Sequence, residues 1–234
     1  MFSTATQVIA SHTHAQALQS TSEVAASADA RPLKNVSNQK LSQLLLENYR
    51  AFQQLGTIST HSIADAADSR PFLNGSFTPE QRDIAAELLA RPELFDTLRI
   101  GRTHRLMDTR EAKFSDRIEI SDLALEANRA DLMSDNSLIQ HTFLYFNEYA
   151  AGGSADRYVN FNELKEAAGL VPTKRTFSPQ AASVAAELLK RTSLLDDLDV
   201  GVGLWGFSGS RDERFDKENL QYMKDKASRW AAYP

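Results

Sequence analysis

Phe77-Thr78-Pro79-Glu80-Gln81-Arg82-Asp83-Ile84-Ala85-Ala86-Glu87-Leu88-Leu89-Ala90-Arg91-Pro92-Glu93-Leu94-Phe95-Asp96-Thr97-Leu98 is the stretch on which the fold turns. It opens with the chemistry of a helix start. Thr78 is placed as N-cap, Pro79 as first helical residue, and Gln81, three on from Thr78, completes a capping box. Ile84, Ala85, Leu88 and Leu89 form an apolar face, continued by Leu94, Phe95 and Leu98 after a break at Pro92. Moving 100 positions on (77 to 177) gives Phe177-Ser178-Pro179, then Ala185-Ala186-Glu187-Leu188-Leu189. Arg91, Leu94, Asp96, Leu98 and Gly101 return as Arg191, Leu194, Asp196, Leu198 and Gly201. A register kept without a gap over that length marks an internal duplication.

The segments before each copy match more loosely. Leu41, Leu44, Leu45, Asn48, Tyr49 and Phe52 lie on one helical face that stops at Gly56, followed by β-prone Thr57-Ile58-Ser59 and a helix from His61 to Ala67. In the second copy a helix from Leu138 carries Phe146, then come a glycine pair, Val159 and a helix from Phe161 to Ala168. Each repeat of about 100 residues thus holds two helix–loop–helix elements.

An EF-hand has a loop of about 12 residues with oxygen ligands at positions 1, 3, 5, 7, 9 and 12, glycine at 6 and an apolar β-former at 8. Position 8 of one hand pairs with position 8 of its neighbour, so hands occur in twos. Ile58, Ile118, Val159 and Phe215 fit position 8 of four loops, and Ser62, Asp122, Glu163 and Asn219 fit position 12. The ligands are eroded. Gln53-Gln54-Leu55 is too short to open the first loop, Asp116 stands where the second needs its glycine, and the third and fourth carry insertions. The weakest remaining metal candidates are Asp156, Glu163, Asp199 and Asp212, and no metal is expected there. A calcium cage lacks its first ligand, and Arg99 or Arg157 near a site repels the ion.

Helix–NYRAF–turn–IS–helix, then FTPEQRDIAAELLARPELFDTL, an insertion and DRIEISDL, resembles the paired EF-hand-like repeats of bacterial type III secretion translocators, the HrpF/NolX/HrpK group of plant-associated bacteria. The resemblance runs from about Leu41 to Lys224. It implies an all-α architecture of two tandem pairs of degenerate EF-hand-like helix–loop–helix units with short β ladders, and a secreted effector or accessory protein. The family's translocators are longer and carry membrane-inserting segments; here no apolar run approaches the about 20 residues that span a bilayer. Pore formation is therefore not carried over.

Residues 1–38 are polar, rich in Ser, Thr, Ala, Gln and Asn, and expected to be disordered. They read either as an ordinary mobile N-terminus or as an uncleaved type III export signal. Residues 39–132 are expected to form the first pair and 133–234 the second. The net charge of −5 and the interspersed Lys and Arg argue against nucleic acid as a partner. Without cysteine there are no disulfides, thiolate nucleophiles or sulfur-ligated zinc.

No catalytic constellation stands out, so no catalytic residue and no cofactor is expected. His12 and His14 sit in the leader, His104 in an insertion, and His141 on an amphipathic helix where a core role is the plainer reading; His61 opens a helix. Gly201-Val202-Gly203-Leu204-Trp205-Gly206 lacks the strand and helix of a nucleotide-binding turn. The two insertions are the binding candidates, because loops on a fixed scaffold carry recognition. One presents Arg99, Arg102, His104, Arg105, Arg110 and Lys113, a basic cluster for an acidic protein surface, a phosphate or anionic lipid, or else a solvated loop. The other presents Leu204, Trp205 and Phe207, read as core anchors in preference to a binding hot spot. Tyr222, Met223, Trp230 and Tyr233 are expected to pack a final helix onto the second unit.

The function expected is non-catalytic: protein–protein contact with a secretion chaperone, translocon or host protein, after export from the bacterial cytoplasm through a type III system. The alternative is a cytoplasmic calmodulin-like adaptor or immunity-type partner with weak or no calcium binding, holding a helix in a groove.

Overall fold

Among the described residues, seven helices begin at a side chain that accepts a backbone N–H three residues on. Ser37 takes the amide of Lys40, Ser59 that of Ser62, Thr78 that of Gln81, Ser134 that of Ser137, Asn160 that of Glu163, Ser178 that of Ala181 and Asp216 that of Asn219. Each satisfies a donor that the first helical turn leaves free. Thr78 and Gln81 form the full capping box, as do Asn160 and Glu163. At the other end, Ser69, Asn128 and Gly169 take positive φ, of 58°, 54° and 72°. The amides of Arg70, Arg129 and Leu170 then reach back to the carbonyls of Asp65, Ala124 and Lys165 at 2.8, 2.8 and 2.9 Å, which closes the helix end.

The computed structural model describes residues 31–54, 57–70, 76–100, 117–200 and 211–231. The elements are α1 Asn38–Glu47, α2 Tyr49–Phe52, β1 Gln53–Gln54, β2 Thr57–Ser59, α3 Thr60–Ala67, α4 Pro79–Leu89, α5 Pro92–Ile100, β3 Arg117–Ile118 and α6 Ile120–Glu126. After a 3-10 turn at Ala130–Leu132 follow α7 Asp135–Tyr149, a second 3-10 turn at Gly153–Ala155, β4 Tyr158–Asn160, α8 Phe161–Ala167, α9 Pro179–Lys190, α10 Thr192–Val200, β5 Arg214–Asp216 and α11 Lys217–Ala231. The protein is mostly helical, and from Val36 onward it forms one compact unit.

Two small antiparallel sheets join loops distant in sequence. In the first, β2 lies between β1 and β3, with Ile58 opposite Ile118. In the second, β4 pairs with β5, with Val159 opposite Phe215. All four of these side chains are buried, and the Phe215 ring meets Phe146 edge-on with centroids 6.2 Å apart. Their burial ties each ladder to the hydrophobic core rather than to its few hydrogen bonds.

Leu41, Leu45, Phe52, Ile63, Ile84, Leu88 and Leu98 fill the core of the first half. Leu138, Tyr149, Leu164, Val184, Leu188, Leu198 and Leu220 fill that of the second, whose cluster also takes in Ala124, Leu125, Ala130 and Met133. Helix α6 therefore serves both halves, packing on α1 and on α9. A part-buried ion pair recurs. Arg91 bonds Glu87 at 2.8 Å and reaches Asn38, the first residue of α1, at 2.8 Å. Arg191 bonds Glu187 at 2.9 Å and reaches Asp135, the first residue of α7, at 2.7 Å. Each arginine clamps the end of one helix onto the start of another; Arg191 meets a carboxylate on both sides, Arg91 a carboxylate and a neutral amide oxygen.

Two details differ from the sequence expectation. The helix read from Leu41 to Phe52 is interrupted at Asn48, whose amide donates to its own Leu44 carbonyl at 3.0 Å and whose oxygen accepts from Gln81 Nε2 at 3.2 Å. Tyr222 does not pack: it is exposed, while Met223 beside it is buried. On α11 the two neighbours are turned about 100° from one another, and the core takes the side of Met223. The side chain of Trp230 and all of Tyr233 lie outside the described residues.

Candidate protein-binding site

The four acidic positions nearest to a metal-ligand pattern use their oxygens on the protein itself. Glu163 accepts the Ala151 amide at 2.7 Å with one carboxylate oxygen and the Asn160 amide at 2.8 Å with the other. Asp156 accepts from Tyr158 N–H and Gly152 N–H at 3.2 and 3.3 Å. Asp199 gathers the amides of Asp212 and Arg214 at 3.0 and 3.2 Å, and Asp212 pairs with the Arg214 guanidinium at 2.6 Å. In the fourth loop the Asn219 side chain donates to the Leu198 carbonyl at 3.0 Å. Backbone donors thus engage these carboxylates, and the described parts of both loops of the second half are tied by internal hydrogen bonds. Among the described residues, no group of three or more His, Asp or Glu is placed to hold a metal ion.

The fitted closing residue of the second loop does something different. Asp122 is buried and lies 3.8 Å from Nε2 of His141, which is itself buried with Nδ1 at 2.7 Å from the Ser137 carbonyl. His141 is accordingly a core residue at the seam between α6 and α7. Tyr149 is fully enclosed and donates its hydroxyl to the Ala181 carbonyl at 2.8 Å. Burial, and then Tyr145 and Glu148, hold its phenol well above the ordinary tyrosine value. Tyr49 is raised too, first by burial and then by the Glu119 carboxylate.

Of the sequence-derived binding residues, Arg99 is described. It sits in the last turn of α5, bonds Asp96 at 2.9 Å and lies 5.9 Å from the Phe95 ring centre. Arg102, His104, Arg105, Arg110 and Lys113 lie outside the described residues, as do Leu204, Trp205 and Phe207.

An open groove lies in the first half, at the break between α1 and α2. It is lined by residues 46–51 together with Gln81, Ile120 and Leu132. Ile120 and Leu132, on its wall, are each 43% exposed. Glu47 and Arg50, both exposed, carry opposite charges on its rim. The corresponding place in the second half differs in its side chains. Phe146, Asn147 and Lys217 stand 97 positions beyond Tyr49, Arg50 and Ile120 (49 to 146, 50 to 147, 120 to 217). There Lys217 lies 5.2 Å from the Phe146 ring centre and donates to Asn147 at 2.9 Å. The sequence reading missed this groove. Its one linear signal was Ile120, an apolar residue where the other repeat carries lysine.

Comparison with family models, with curated proteins and with solved structures gives no match for this chain.

Proposed function

We propose that this chain is a non-catalytic protein exported through a bacterial type III secretion system, an effector or translocation accessory that acts by protein–protein contact. The scaffold in this reading is two tandem EF-hand-like pairs that have lost their ions. The observation that carries the scaffold is the ladder register, Ile58 opposite Ile118 and Val159 opposite Phe215, together with loops tied by the hydrogen bonds of Glu163, Asp199 and Asn219. Position-8 pairing of this kind is what joins two hands. The secretion role is supported by the likeness of FTPEQRDIAAELLARPELFDTL and DRIEISDL to the translocator repeats. The experiment is a secretion assay in a type III-competent bacterium, comparing the full chain with one lacking residues 1–38. Loss of export on removal is expected; undiminished export of the shortened chain defeats the reading.

A second reading, an adaptor or immunity-type partner that stays in the cytoplasm and holds a helix, is favoured by the open groove beside Ile120 and Leu132. Retention of the full chain in a competent cell would speak for it.

A further inference from the structure

We draw no further inference here: the strongest candidate, the open groove at the break between α1 and α2 with Ile120 and Leu132 on its wall, has nothing in the structure to show what covers it.

Discussion

In the first half the opening loop is closed by backbone: Gln53 and Gln54 form β1 and pair with Ile58 and Thr57. In the second half the same loop is longer, ten positions from Tyr149 to Val159 against six from Phe52 to Ile58. It is closed by a side chain, with Glu163 taking the amides of Ala151 and Asn160. Ser62, which fits Glu163's place in the first half, only bonds the Ser59 carbonyl at 2.8 Å. A short loop brings its own ends within reach of a ladder. A longer one leaves unpaired amides, and a charged acceptor collects them. The lesson is that a helix–loop–helix frame tolerates different loop closures as long as the buried ladder residue and the helix caps stay in place.

The ladders offer the largest test of that statement. Phe215→Ala should cost about 4 kcal/mol and Ile118→Ala about 3 kcal/mol in denaturant unfolding, since both side chains are buried. The double variant should be additive to about 0.5 kcal/mol, because the two residues belong to different sheets. A much smaller cost at either position would show that the loops, not the ladders, hold that half.

Next come the loop closures themselves. Glu163→Gln should cost about 2 kcal/mol, as the amide group it introduces would confront a backbone N–H that needs an acceptor. Ser62→Ala should cost about 1 kcal/mol or less, one neutral hydrogen bond. Equal costs would erase the distinction between a loop held by its ladder and one held by a carboxylate.

The smallest effect is expected at the joint between the halves. Arg129 grips Asp131 with two hydrogen bonds of 2.8 and 2.9 Å, and that contact, against some burial, holds the Asp131 carboxyl below its ordinary value. A carboxyl lowered by folding stabilises above its unfolded value, and the contribution is lost as pH falls through the lower folded one. Asp131→Asn should therefore remove a shallow acid-side step from stability plotted against pH. Both side chains are nearly half exposed, so solvent and added salt should shrink the step further. A step that survives the substitution would assign it elsewhere.

Much of the frame was legible in the chain. Thr78 with Pro79 and Ser178 with Pro179 announce helix starts because cap chemistry is local. The isoleucines and their counterparts could be matched because a ladder residue stays apolar in both repeats. What escaped was decided by distant partners. Asn48 breaks its helix with the help of Gln81, more than thirty residues away in sequence, as the bond between their side chains records. The groove exists only where residues 46–51, Ile120 and Leu132 converge, and no window of sequence contains all three. Tyr222 was misread for a simpler reason: an aromatic near a chain end says little about which side of its helix the core takes.

The paired clamps at Arg91 and Arg191 bear on how the molecule yields to force. Each ties the first residue of a half's leading helix to a buried glutamate on another helix. A pull from the N-terminal side that peels α1 arrives at Asn38 and Arg91 before it loads the core behind them. The first half should open there like a zip with a catch at its top. The second half, with Asp135 and an additional hold on the Met133 carbonyl at 2.8 Å, carries a stiffer catch of the same design.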